Sequence, residues 1–248
     1  MNILIFDTET TSINKPFCYN IGYVIYDLIN HNIIEKKDYI IEQIWHNLPL
    51  FSTAYYAEKR PIYVNRMKGK KVKMEKYGYI CQELARLIKK YNIEFAFAFN
   101  SSFDENVFNF NCDWFKCINP FDTVKIKDIR GFAHSFIVNN EYKKFCEDNE
   151  LFTDNGNYST TAESVYKYIT QNKNFTEEHT ALSDSIIETQ ILLYCLQKGA
   201  LIDGEYPTYK SIWRKQEKIL TIIKKDKKYT FKCNGYTFYK SKDTIKLK

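Results

Sequence analysis

The stretch "ILIFDTETTS", Ile3 to Ser12, decides how this chain is read. Its first four residues have the continuous apolar character of a central strand covered on both faces. They run straight into two acids, Asp7 and Glu9, separated by one threonine. Residues i and i+2 of a strand project to the same side, so a strand that ends in this pair aims both carboxylates at one place. Two like charges held that close repel unless a cation sits between them. Hard oxygen ligands suit Mg²⁺ or Mn²⁺, which bind through one or two protein carboxylates while phosphate and water fill the rest of the shell. A strand-end acid is also commonly a solvated or helix-capping group, and the pair by itself leaves both readings open.

Outward from this strand the pattern is α/β. "YNIGYVIYDLINHNIIEKKDYIIEQI", residues 19–44, reads as two further strands joined at "INHN", where Asn30 and Asn32 favour a turn. "YGYICQELARLIKKY" places Ile80, Leu84, Leu87 and Ile88 on one helical stripe, and "IEFAFAFN" is a second buried strand. After Asp104 the chain turns mainly helical, through "EYKKFCEDNE", then "TTAESVYKYI" with Thr160 and Glu163 spaced as a capping box, then "SDSIIETQILLYCLQKG" ended by Gly199. Strands alternating with helices predict a mixed sheet flanked by helices.

Composition bounds the rest. With 248 residues, 44% hydrophobic and 27% charged, the chain is long enough for one sizeable domain and an appendage. No apolar run reaches the roughly 18 to 20 residues of a membrane span, and the N-terminus has no signal-peptide pattern, so no membrane partner and an intracellular, cytoplasmic location are expected. Abundant Lys, Asn, Ile and Tyr with scarce Gly and Pro fit an AT-rich genome, which hints at a viral or bacterial source and, if viral, the host cytoplasm. The seven cysteines form no CxxC pair, so their spacing indicates neither a disulfide framework nor a zinc site.

The net charge of +6 is unevenly placed. Residues 205–248 carry 13 Lys and Arg against 4 Asp and Glu, a balance of +9, which leaves −3 for residues 1–204. This divides the chain into a body, 1–204, and a basic C-terminal extension, 205–248. Within the body, "KRPIYVNRMKGKKVKMEK", residues 59–76, shows no helical or strand period and reads as an exposed basic loop. In the extension, "SIWRKQEKILTIIKK" puts Ile212, Ile219, Leu220 and Ile223 on one helical face. "YTFKCNGYTFYK" then carries the hairpin signal Asn234-Gly235, which sets Phe231 opposite Phe238 and Cys233 opposite Tyr236. A packed hairpin and a stacking platform for nucleic-acid bases both suit this segment.

Further acids join the first pair. "FAFAFNSSFDENVF" repeats the construction, a buried strand ending at Asn100 with Asp104 at a helix start. "EEHTALSDSIIETQIL" places Asp184 in the first turns of a helix with His179 five residues ahead, at or before the helix start. In order and spacing these segments resemble the three motifs of the DEDDh (DnaQ-like) 3′→5′ exonucleases of the ribonuclease H-like superfamily: Phe6-Asp7-Thr8-Glu9-Thr10-Thr11, then Asn100-Ser101-Ser102-Phe103-Asp104, then His179-Thr180-Ala181-Leu182-Ser183-Asp184-Ser185. Asn20-Ile21-Gly22 is similar to the family's second strand, and Phe121-Asp122-Thr123 resembles its "DT" strand, so the resemblance covers about residues 1–198. Ser12 in place of glycine, Phe99 in place of histidine and Ser185 in place of alanine are departures that remove no candidate ligand.

The resemblance implies a five-stranded ribonuclease H-like mixed sheet, to which the extension adds a small basic helix and hairpin. It also implies a metal-dependent 3′→5′ exonuclease. Asp7, Glu9, Asp104 and Asp184 would hold two Mg²⁺ or Mn²⁺ ions, Asp7 bridging them. His179 would act as general base, and Thr8, Thr10, Asn100 and Phe103 would meet the substrate. The partner implied is nucleic acid at a 3′ end, with single-stranded DNA first, together with a replication or repair protein. Two alternatives stand beside it: a nucleic-acid-binding or replication-scaffold module on the same fold without turnover, and an exoribonuclease or oligonucleotidase. Fold alone does not separate them. His31, His46 and His134 lack acidic motif partners, and Asp122 is read as ordering a strand end.

Overall fold

The computed structural model describes residues 1–154 and 156–207 and, beyond these, the strand backbones at 221–225, 228–233, 236–241 and 244–247. The chain divides into two compact units, Met1–Tyr206 and Pro207–Lys248.

The first unit is built on a six-stranded sheet. Strands β1 (Asn2–Thr10), β2 (Cys18–Asp27) and β3 (Asn32–Ile41) form an antiparallel meander, and β2 and β3 are joined at His31, whose φ of 53° makes the tight reversal. β5 (Phe95–Ala98) adds parallel to β1, and β6 (Lys125–Asp128) adds parallel to β5. A short β4 (Lys73–Glu75) pairs parallel with β3, which gives the order β4-β3-β2-β1-β5-β6. The sheet therefore has one strand more than expected.

Alternation along β1 sorts the core into two layers. Leu4 and Phe6 face one cluster, built with Tyr19, Ile21 and Tyr23 of β2, α4 (Tyr77–Lys90) and α5 (Ser101–Phe115). Ile3 and Ile5 face the other, built with α6 (Ile129–Phe136), α7 (Asn140–Asp148), α8 (Ala162–Thr170) and α9 (Ala181–Gln197). The stripe Ile80, Leu84, Leu87 and Ile88 of α4 is buried as its spacing predicts. Just past the end of α9, Gly199 with φ of 95° lets the N–H groups of Gly199 and Ala200 reach back to Leu196 and Cys195.

Three local expectations are corrected. The basic segment 59–76 is not a loop: after two short turns of helix, α1 (Glu42–Trp45) and α2 (Leu48–Phe51), it runs through a 3₁₀ turn at Ala57–Lys59 into α3 (Arg60–Lys68) and then β4. That helix has no apolar stripe and buries only Tyr63, with Arg60 laid over the Trp45 ring at 4.2 Å, so tertiary contacts and not periodicity make it helical. The cap of α8 is Thr161, whose side chain accepts from Ser164 N–H, while Thr160 instead accepts from Arg130. Phe121–Thr123 lie in a turn, and the strand begins two residues later at Lys125, because Val124 N–H closes back on Phe121 carbonyl.

The second unit holds a four-stranded antiparallel sheet of β7 (Thr221–Lys225), β8 (Lys228–Cys233), β9 (Tyr236–Ser241) and β10 (Thr244–Leu247). The β8–β9 register pairs Phe231 with Phe238 and Cys233 with Tyr236, as the hairpin reading expects. Ile223 pairs in β7 and is not helical; Ile212, Ile219 and Leu220, and the turn pair Asn234-Gly235, lie outside the described residues. Among the described residues no helix is long and apolar enough to cross a membrane.

Candidate active site

The site lies where β1 and β5 end. Asp7 and Glu9 share the face of β1 that carries Ile3 and Ile5, and α9 crosses that face. A side chain at residue 22 of β2 would collide with the backbone of Ala181 and Leu182, so Gly22 sets how closely the helix approaches. Ser185 fits the same contact: its hydroxyl meets Gly22 carbonyl at 3.1 Å and Ala181 carbonyl at 2.7 Å. The result is that Asp184 is delivered beside the strand, and the carboxylates of Asp7, Glu9 and Asp184 come within 4.8 Å of one another.

Asp104 stands outside that triplet and reaches it from the other layer. The β5–α5 turn is made by Asn100 in the left-handed conformation (φ 64°), which puts Asp104 in the first turn of α5. Thr8, on the opposite face of β1 from its acidic neighbours, donates its hydroxyl to Asp104 at 2.7 Å. Thr10 donates to Ser12 carbonyl at 3.3 Å on the exposed rim. Phe103 packs against the first core cluster, and Asn100 Oδ1 is buried without a hydrogen-bond partner among the described residues.

One further acid belongs here, and the sequence reading missed it. Glu188 lies four residues after Asp184, one turn along the same helix face, and is 3% exposed. It accepts from Phe99 N–H at 3.3 Å. That spacing was the available signal. Asp7, Glu9 and Glu188 are all held well above the ordinary carboxylate range, by burial first and by their neighbouring acids second. Burial likewise pushes Asp104 and Asp184 up to about 7.

His179 sits just before α9 with φ of 51°, its ring stacked on Tyr56 at 4.5 Å with the two planes nearly parallel. Its Nδ1 is 3.6 Å from Glu177, and these two form a second cluster with Glu163. Burial and the nearby Lys59 hold His179 below its ordinary value, against an opposing pull from Glu163, while burial and Asp184 lift Glu177 to about 8. Lys59 donates to Glu178 carbonyl at 2.7 Å and lies over the Tyr56 ring at 4.5 Å. Its charge offsets part of the repulsion on Glu9 and Asp184. Tyr56 and Lys59 come from the stretch leading into α3 and carried no motif.

A buried network fixes the start of α9. Asn20 Oδ1 accepts from Ala181 N–H at 2.8 Å and from the Tyr63 hydroxyl at 2.9 Å, while its Nδ2 donates to Asp38 at 2.6 Å and to Tyr39 carbonyl at 2.8 Å. Arg66 of α3 joins Asp38 at 3.0 Å, Thr180 at 2.9 Å and Glu178. Burial raises Asp38 to about 6 despite Asn20 and Arg66, which pull it down.

The donor set fits divalent cations. The four expected ligands supply only hard oxygens, and the acids crowd together against the positive charge of Lys59 and, at Asp184, of Arg66. That charge leaves all of them raised, so bound cations would relieve a repulsion that the chain leaves standing.

Comparison of the sequence with protein-family models and with curated proteins found no match. Among solved structures, the nuclease domain of 3′hExo, a DEDDh family member bound to rAMP, superposes with a TM-score of 0.52 at 13% identity, over 83% of this chain and 96% of that one. A full-length 3′-exonuclease gives 0.55 at 12% identity, over 98% and 67%. A 3′-exonuclease in a structure of 3′-end specific recognition of histone mRNA stem-loop gives 0.55 at 11% identity, over 100% and 72%. At these identities the likeness is one of fold: the chain has the ribonuclease H-like architecture of these 3′-exonucleases.

Proposed function

We propose that the protein is a divalent-metal-dependent 3′→5′ exonuclease that hydrolyses phosphodiester bonds of DNA or RNA and releases 5′-mononucleotides. The observation that carries this reading is the meeting of Asp7, Glu9 and Asp184 within 4.8 Å of one another, with Asp104 acting electrostatically on Asp7 from a third segment. A likeness of fold to 3′-exonucleases solved with rAMP and with an RNA stem-loop supports it. Two divalent ions in this nest would stabilise the attacking and leaving oxygens of an in-line displacement.

The chain's own groups would do the rest. Asp7, Glu9 and Asp184 would hold the ions, and Asp104, its orientation fixed by Thr8, would contribute from the other layer. His179, held by burial below the ordinary imidazole value, would take the proton of the attacking water. Stacking on Tyr56 limits its ring to one orientation. Asn100, whose side-chain oxygen has no partner among the described residues, is the candidate to meet the 3′-terminal nucleotide.

The test uses end-labelled DNA and RNA, single-stranded and duplex, in a time course with Mg²⁺ or Mn²⁺. One-nucleotide shortening from the 3′ end, lost in chelator and in Asp7→Ala, is expected, and the preferred strand identifies the substrate. Tight binding without shortening of any strand would overturn the reading in favour of a binding module.

A further inference from the structure

Away from the acidic site, three thiols from separated parts of the chain meet. Cys81 lies within α4, Cys112 near the end of α5, and Cys117 just past the left-handed residue Lys116 (φ 53°) that terminates α5. Their sulfurs all lie within 4.8 Å of one another, and those of Cys81 and Cys112 are 3.9 Å apart. Cys81 and Cys112 are buried and Cys117 is partly exposed. A second observation points at the same spot. Tyr77, one turn before Cys81, packs in the same core cluster as the three cysteines, and its hydroxyl is fully buried with no hydrogen-bond partner among the described residues. A buried hydroxyl left so costs about 1–3 kcal/mol unless an acceptor is supplied. A neutral thiol is a weak acceptor and a thiolate a strong one.

We propose that Cys81, Cys112 and Cys117 bind one Zn²⁺ as thiolates, with the Tyr77 hydroxyl donating to the Cys112 sulfur. Tetrahedral zinc with Zn–S of about 2.3 Å separates its sulfurs by about 3.8 Å. The Cys81–Cys112 spacing already matches that separation. A disulfide needs sulfurs about 2.0 Å apart and would require both side chains to move. Cys117, at the accessible edge, has only to rotate inward, and the same edge gives the ion an entry path and a water to complete four-coordination. Binding releases the three thiol protons to solvent and leaves one net negative charge, which the Tyr77 hydrogen bond partly offsets. The ion would join α4 to the C-terminal end of the helix whose first turn carries Asp104.

The experiment uses the full chain carrying Asp7→Asn and Asp184→Asn, so that the carboxylate site is silenced and the result is independent of the exonuclease reading. Reduced protein is dialysed against Zn²⁺, and metal content is measured; in parallel, Co²⁺ is titrated in and the near-ultraviolet sulfur-to-cobalt charge-transfer band is followed, a band that oxygen ligands do not produce. One zinc per chain and a saturating band are expected. Cys112→Ser should abolish both. Cys117→Ser, at the exposed edge, should keep the circular dichroism of the parent while weakening zinc at least tenfold, and Cys195→Ser should change neither. No stoichiometric zinc and no thiolate band in a folded, reduced chain would overturn the proposal, as would equal zinc affinity in Cys117→Ser.

Discussion

Asp184→Asn should make the metal-free protein more stable, and only at neutral to alkaline pH. Asp184 is 8% exposed and its pKa is lifted from 3.8 to about 7. Folding therefore favours its protonated form. Below about pH 4 both folded and unfolded chains hold the proton and the acid costs nothing; between about 4 and 7 the folded state holds more protons than the unfolded one, so stability falls as pH rises; above 7 the full cost is present. A shift of about 3 units corresponds to about 4 kcal/mol at roughly 1.4 kcal/mol per unit. Because Asp184 also raises Asp7, Glu9 and Glu188, its titration is shared with theirs and removing its charge recovers only part of that cost, on the order of 2 kcal/mol. For a body of this size that is roughly 4–8 °C in Tm. The amide keeps an acceptor for Ser183, so little else is lost. Thermal unfolding in excess chelator at pH 4, 6 and 8 measures it, with Mg²⁺ added as a second arm. Coincident melting curves at pH 4, a higher Tm for the variant at pH 8, and a wild-type Tm that rises with Mg²⁺ while the variant's does not are expected. A variant no more stable than wild type at pH 8 in chelator would refute the argument that burial beside other acids penalises the charged form of Asp184.

Three further outcomes follow from the same geometry. His179→Ala should lose about 10²- to 10⁴-fold in rate, and the wild-type rate should rise with pH through a value below 6.5 and then level, a rise that the variant lacks; an unchanged pH profile would make the histidine structural. Gly22→Ala should push α9 from the sheet, lowering Mg²⁺ affinity and Tm together, as isothermal titration and melting would record; a native Tm and affinity would contradict the close approach. Replacing Lys224, Lys225, Lys227 and Lys228 by Gln in the full chain should flatten the salt dependence of single-strand binding by about 0.7 in log–log slope for each phosphate no longer neutralised, and an unchanged slope would move the footprint to the basic residues of 59–76.

What the sequence made legible was what local pattern and chemistry determine. The apolar run before Asp7, the reversal at His31, the stripe of α4 and the Phe231–Phe238 register each follow from periodicity or turn preference over a few residues. The carboxylates were visible because two acids at i and i+2 on a strand have no packing use. What stayed hidden depends on contacts across the chain. Helix α3 is set by Tyr63 reaching Asn20, by Arg60 reaching Trp45 carbonyl at the end of α1 and by Arg66 reaching Asp38 on β3, so its own composition reads as loop. Strand β4 is three residues long and exists because β3 offers an edge. Glu188 was within reach of a helical-spacing argument from Asp184. The thiols were not, since Cys81 is brought to Cys112 only by the packing of α4 on α5.

The position of Arg66 constrains how this protein can change. A single guanidinium spans Asp38 on β3, Thr180 at the head of the acid-bearing helix and Glu178 beside His179, while Lys59 and Tyr56 grip the same three-residue segment from the other side. The stretch 56–66 is thus bolted to the segment that carries His179. Substitutions anywhere in 56–66 would therefore be felt at His179 and at the start of α9, so this stretch and that segment should change together.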